Sequence, residues 1–321
     1  MNDIWVHNLN PFLIQFSSSF GIRWYGLAYL TAFIVGAMFM VFIAKRGRRT
    51  IAPEIVTDYI TYVVLGVMIG GRVGYAVFYS PDLLTDFSAS FPFWGVLKVW
   101  EGGMASHGGM IGILAFTFYY AHRHKISWTN LGDNLVVTAP LGLFFGRCAN
   151  FINGELYGRV TNVSWAMQFP KELLESPAEA ARAIGACQQV SPTLTTPEAI
   201  VAAVHRSASG GQVKEILRTI LTPRHPSQLY EAFCEGIVLF AIVWLVRTRL
   251  RTPNGFLTGL FFICYAIFRI VVENFREPDA SMILGVTRGQ FLSAFLILIG
   301  VGFIVSAYRR RDYPQTEAQA K

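Results

Sequence analysis

The sequence predicts an all-α polytopic membrane protein. Three observations carry that reading. Hydrophobic residues make up 53% of the 321 and charged residues only 15%, against roughly 25% charged in soluble domains. The apolar residues gather into seven runs, near 24–44, 59–79, 103–121, 135–152, 229–246, 256–275 and 289–308, each close to the ~20 residues that a helix needs to cross a bilayer. The basic residues behind the net charge of +7 sit in short clusters at the ends of those runs. That distribution suits a membrane topology and argues against nucleic acid as a partner.

Taken in order, the opening segment "MNDIWVHNLNPFLIQF" lacks the basic start of a cleavable leader, so the first run is expected to stay in the mature protein. "KRGRR" (45–49) follows run one, "HRHK" (122–125) run three, "RTRLR" (247–251) run five and "YRRR" (308–311) run seven. Positive clusters beside membrane ends mark the cytoplasmic side. All four agree on an outer N-terminus and an inner C-terminus, which leaves loops 80–102, 153–228 and 276–288 outside. Trp94 and Trp100 read as interface anchors beside the third run. Residues 170–222 turn polar and alanine-rich, and predict a small head of short helices inserted into a single membrane-embedded domain, 1–321. Cys148, Cys234 and Cys264 lie in apolar runs, where small buried hydrophobes are expected. Cys187 falls in the head with no obvious partner. No Cys/His spacing suggests a metal.

An arginine at the bilayer centre costs about 3 kcal/mol on insertion scales, yet three runs carry one. Arg72 lies thirteen residues past position 59, Arg147 twelve past 135, and Arg269 thirteen past 256. At about 1.5 Å per residue, all three reach a depth of roughly 18–20 Å from the cytoplasmic edge. Asn150 shares a helix face with Arg147, and Glu273 shares one with Arg269. Glu155 and Arg159 follow the exit of run four, His107 opens run three, and Tyr25 opens run one. These groups are expected to converge on a polar cavity toward the outer leaflet.

Each has a plainer reading. Arg269 and Glu273 can satisfy one another, Arg72 can serve a carboxylate, and Asn150 can bind a neighbouring helix. His107 alone can be a loop histidine, and the glycines around it can serve close helix packing. Glu231 and Glu235 carry a weaker signal, one near the outer edge and the other a partner for an arginine.

Guanidinium matches phosphate with paired donors, and phosphate at that depth belongs to a lipid headgroup. The arginines therefore point to an anionic lipid or lipid-linked phosphate. A neighbouring histidine, with an ordinary pKa near 6.5, suits proton removal from a nucleophile and hence group transfer. No serine or cysteine stands in a covalent-nucleophile arrangement, so the nucleophile is expected from the second substrate. A transporter for anions would carry polar residues through to the inner side, whereas stretches such as "ITYVVLGVM" and "LTGLFFICYAI" are apolar. A lipid-binding scaffold would need no His107.

Six motifs add a resemblance. "RWYGLAYL" (23–30), "GGRVGY" (70–75), "HGGMIG" (107–112), "GRCANFINGELYGR" (146–159), "RHPSQLYE" (224–231) and "FRIVVENFREPD" (268–279) resemble, in order, those of bacterial prolipoprotein diacylglyceryl transferases. They run from the first span to the outer end of the sixth. The resemblance implies a seven-span inner-membrane enzyme with its active site toward the periplasm. It implies transfer of the diacylglyceryl group of phosphatidylglycerol to the lipobox cysteine of a prolipoprotein signal peptide, release of glycerol phosphate, and no cofactor or metal. The motif residues are Tyr25, His107, Arg147, Asn150, Glu155, Tyr265, Arg269, Glu273 and Arg276, with Arg72 added from its depth. Arg147, Arg269 and His107 are the expected catalytic group. Two routes to the thiolate fit these residues: His107 as the base, or ionisation of the thiol by the arginine field alone.

Overall fold

The computed structural model describes residues 4–16, 21–46, 51–89, 91–99, 102–205, 210–278, 282 and 285–314. Trp100, Arg48, Arg49 and Asp279 lie outside the described residues.

Apolar runs become helices because a backbone out of water must satisfy its own N–H and C=O groups. The long ones are α1 (Trp24–Lys45), α2 (Pro53–Phe78), α3 (Ser106–His124) and α4 (Trp128–Asn153). After the head come a continuous Ser227–Arg249 helix, α10 (Phe256–Glu273) and α11 (Arg288–Arg310). The Ser227–Arg249 helix comprises α8 (Ser227–Glu231), a π-helical stretch (Ala232–Val238) and α9 (Leu239–Arg249). Among the described residues, six helices are long and apolar enough to cross a membrane. The expected third span, α3, is a 19-residue helix outside that six. Its first turn carries His107 and its last His122, Arg123 and His124, which dilute an otherwise apolar run.

Two helices begin before their apolar runs. Pro53, whose missing N–H costs nothing in a first turn, starts α2 six residues ahead of position 59. The polar start of α4, "WTNLGDN", is held by long-range partners. The Asp133 carboxylate accepts from the Gly255 N–H (2.8 Å), the Thr258 N–H (2.8 Å) and the Thr258 hydroxyl (2.7 Å). It thereby caps the free N–H groups that open α10. Arg247 Nη2 donates to Asn134 Oδ1 at 2.8 Å, and Asn130 Nδ2 to Asn254 Oδ1 at 2.9 Å.

The chain forms two compact units. One comprises Met1–Ala32, Pro140–Ile242 and Phe261–Gly300; the other comprises Phe33–Ala139, Val243–Leu260 and Val301–Lys321. Helices α1, α4, α9, α10 and α11 each contribute to both.

In the second unit, α2 and α3 pack along glycines. A Cβ at Gly74 would come within 2.6 Å of Gly108 Cα, and one at Gly66 within 2.8 Å of the Gly112 carbonyl. The spacing of four in both helices lets the backbones touch, as small-residue stripes do in membranes. The glycines that follow His107 thus serve helix packing.

In the first unit the head is helical as expected, with α5 (Pro177–Cys187), α6 (Pro197–Val204) and α7 (Gly210–Ile220). Its core includes Leu173, Ala183, Ile200, Val213 and Leu217, with Val6 contributed by the N-terminal segment. Strand β1 (Trp5–Val6) pairs in parallel with a short strand at Met167–Gln168. Cys187 is fully buried in this core, which explains its lack of a partner, and burial pushes its thiol pKa up.

Candidate active site

The first unit draws Arg147 from α4, Arg269 from α10 and Arg276 beyond it onto one buried carboxylate, Glu231 of α8. Arg147 Nη1 lies 3.0 Å from Glu231 Oε2 and Arg276 Nη1 lies 3.1 Å from Glu231 Oε1, to which Arg269 Nη1 also donates. Arg147 Nη2 reaches Glu235 Oε2 at 3.3 Å, and Arg269 Nη2 reaches Glu273 Oε2 at 2.9 Å. Glu231 and Glu235 are 0% exposed, while the side chains of Arg147 and Arg269 keep 16% and 13%. Removing such charges from water costs more than their mutual attraction ordinarily returns, so the cluster is a poor device for stability. The carboxylates are closed off, and the arginines retain the outward face.

Around it, Asn150 Nδ2 donates to Glu155 Oε1 at 3.0 Å, and Lys171 Nζ lies 3.8 Å from Glu155 Oε2. Burial lowers the Lys171 pKa, with Glu155 opposing. Tyr265 is half-buried on α10, within electrostatic reach of Arg147, Arg269, Glu231 and Glu235. Tyr25 packs against Tyr29 with ring centroids 5.2 Å apart, and Tyr29 interacts with Arg147 and Glu155.

The loop after α4 ties three motifs together. The Gly158 N–H donates to His225 O at 2.8 Å and the Arg159 N–H to Phe275 O at 2.9 Å; Arg159 Nε reaches Arg276 O at 2.9 Å. A Cβ at Gly158 would come within 2.7 Å of His225 Cβ, so these segments meet only at a glycine. Below the loop, His7 Nε2–H donates to the Phe151 carbonyl at 2.7 Å, and its ring stacks on Phe169. Burial lowers the His7 pKa to about 4.

Arg72 behaves differently. It lies in the second unit, 4% exposed. Its Nε donates to Val96 O (2.7 Å), Nη1 to Gly102 O (2.5 Å) and Gly103 O (3.1 Å), and Nη2 to Gly95 O (3.0 Å) and Lys98 O (3.1 Å). A guanidinium has five N–H donors, and all five hold the loop that leads into α3. His107 is exposed in the first turn of α3, also in the second unit. Among the described residues, no three His, Cys, Asp or Glu side chains gather as metal ligands do.

A sequence model described as prolipoprotein diacylglyceryl transferase matches residues 11–306.

The chain belongs to that family.

It is 40% identical to a phosphatidylglycerol--prolipoprotein diacylglyceryl transferase of Bdellovibrio bacteriovorus, over 94% of this chain and 93% of the relative. A protein of the same name from Azospirillum brasilense is 38% identical over 90% and 91%, and one from a Caulobacter species 35% over 95% and 93%. Within this transferase sequence, Lys171 carried no signal, and Glu231 and Glu235 only a weak one. An ion pair at i,i+4, such as Arg269–Glu273, can be read from spacing. A carboxylate shared by three arginines from separate segments cannot.

Proposed function

We propose that this transferase moves the diacylglyceryl group of phosphatidylglycerol to the lipobox cysteine of prolipoproteins, the first step of lipoprotein maturation. Its thioether product and glycerol phosphate form when the cysteine thiolate displaces phosphate at the glycerol carbon. The carrying observation is the partly exposed Arg147–Arg269 pair over buried carboxylates. Fixed guanidinium groups in a water-poor site stabilise charge as it grows on the leaving phosphate. Asn150 and Glu155 order the headgroup side of the site, Tyr25 and Tyr265 flank it, and Glu273 and Arg276 hold the arginines in register. His107 serves as the base for the thiol, whose free pKa is near 8.5. Arg72, fully engaged by carbonyls, shapes the α2–α3 loop rather than touching lipid.

The same reading makes α3 the third of seven spans, since 19 residues rise about 28 Å, near the bilayer core thickness of about 30 Å. The N-terminus, the head (170–222) and the arginine site face the periplasm, with the chain a multi-pass protein of the inner membrane. Five helices that run through both compact units support one catalytic domain over 1–321.

The test uses purified protein in detergent with phosphatidylglycerol and a synthetic lipobox peptide. The expected result is glycerol phosphate release with a diacylglyceryl mass gain on the peptide, abolished by R147A and by a Cys-to-Ser peptide. Absence of release from folded wild-type protein would sink the reading. Full activity of H107N across neutral pH would remove His107 as the base.

A further inference from the structure

The three carboxylates of the cluster are not equivalent. Glu231 receives Arg147, Arg269 and Arg276. Glu273 is fixed from two sides: Arg269 holds it at 2.9 Å, and Gly289 of α11 packs so close that a Cβ there would come within 2.8 Å of the carboxylate. Each of the three keeps one buried oxygen that accepts no hydrogen bond, so distance is what separates them: Glu235 has only longer contacts, 3.3 Å to Arg147 Nη2 and 3.9 Å to Arg269 Nη1.

The backbone nevertheless goes to some length to put Glu235 there. It lies in the π-helical stretch Ala232–Val238, a local winding that re-aims side chains and recurs at functional sites. Next to it, Gly236 meets α4 where a Cβ would stand 2.7 Å from Phe144 Cβ, one turn before Arg147. Any side chain at 236 would push Glu235 away from its arginine.

The charges of Arg147, Arg269 and Arg276 are matched by those of Glu231, Glu235 and Glu273. A phosphodiester entering this neutral, partly dry site brings a negative charge with which a carboxylate must compete. The loosest carboxylate is Glu235. The product, a phosphate monoester with a second pKa near 6, carries more negative charge than the diester and grips the arginines harder.

We propose that Glu235 is a resident counter-anion that the substrate phosphate displaces from Arg147 and Arg269. It keeps the empty site neutral, yields its donors when the phosphodiester binds, and reclaims them to expel glycerol phosphate. Glu235 touches no reacting atom; it is a positioning residue acting through the arginines. The proposal rests on the transferase reading above.

The experiment is steady-state kinetics of E235Q beside wild type, with phosphatidylglycerol in detergent, a lipobox peptide, and glycerol phosphate as product inhibitor. The expected result is a KM for phosphatidylglycerol lowered about fivefold and a Ki for glycerol phosphate lowered about tenfold, because a competing charge is gone. The turnover number falls as product release slows. An unchanged or raised KM in folded E235Q overturns the proposal; a merely structural glutamate would raise KM. E231Q, which loosens all three arginines, is expected to raise it. Should E235Q fail to accumulate, E235D keeps the charge but shortens its reach, and both constants should fall about twofold; no fall overturns the proposal. Wild-type protein that releases no glycerol phosphate defeats the transferase reading instead, so the two failures are distinct.

Discussion

Arg72 and Arg147 start from the same sequence signal, an arginine deep in an apolar run, and end in opposite chemistry. The Arg72 guanidinium is enclosed by five backbone carbonyls of the loop between α2 and α3. Those acceptors belong to the chain itself, and leaving them unpaired in an apolar setting is costly, so Arg72 has no donor to exchange. Arg147 faces two glutamates, remains partly exposed, and meets one of them only at 3.3 Å. An anion can replace an anion. The same sequence signal therefore leads to two kinds of acceptor, backbone carbonyls for Arg72 and carboxylates for Arg147.

The largest effect that can break this contrast is on catalysis. R147A is expected to lower glycerol phosphate release per folded molecule by about a thousandfold or more, the scale of losing a preorganised donor to developing charge; it also lowers the melting temperature, because buried Glu231 and Glu235 lose a partner, so folding is checked by circular dichroism. A merely twofold loss would make Arg147 another structural arginine. R72A should do the reverse. Buried carbonyls without partners cost about 1–3 kcal/mol each, and with water reaching some of them the loss is expected at about 3–5 kcal/mol of stability, read by thermal unfolding in detergent. The KM of surviving R72A should stay within about threefold of wild type. A normal melting temperature with lost lipid affinity would reverse the assignments of the two arginines.

A buried polar network away from these arginines sharpens the comparison further. D133A orphans the Gly255 and Thr258 N–H groups that open α10. It should cost about 2–3 kcal/mol without changing kcat/KM per folded molecule. Smaller still is the contribution of His7. Its folded pKa, about 4, lies below the ordinary 6.5. Between those values the unfolded chain binds the extra proton, so stability is full above pH 6.5 and is lost as pH falls toward 4. From pH 7 to pH 5 the wild type should lose about 2 kcal/mol more than H7Q. Parallel pH profiles of the two proteins would exclude a buried neutral His7.

Helices were the legible part of the sequence because hydropathy and length act locally. Six of the seven runs became helices of spanning length and apolarity, and the head became helical where alanine-rich sequence predicted it. Helix starts were less legible. The first turns of α4 are polar, and only their bonds to Gly255, Thr258 and Asn254 make them helix within a buried network. Of the expected site residues, Arg147, Arg269, Glu273 and Arg276 converge and Asn150 meets Glu155, whereas Arg72 and His107 fall in the other unit. Glu235 was under-read because a π-helical stretch shifts side chains off the 3.6-residue period from which its direction would be judged.

By itself the sequence determined that the chain is apolar enough for a membrane, that three of its apolar runs each carry an arginine, and that six motifs stand in the order of one transferase family. Those properties follow from composition and from identity at each position. Which acceptors each arginine meets was decided only by the tertiary structure. Hydrogen-bond acceptors for a guanidinium come from segments tens of residues away, Gly95, Val96, Lys98, Gly102 and Gly103 for Arg72 and Glu231 and Glu235 for Arg147. No local pattern records whether those acceptors are backbone carbonyls that stay or carboxylates that an anion can displace.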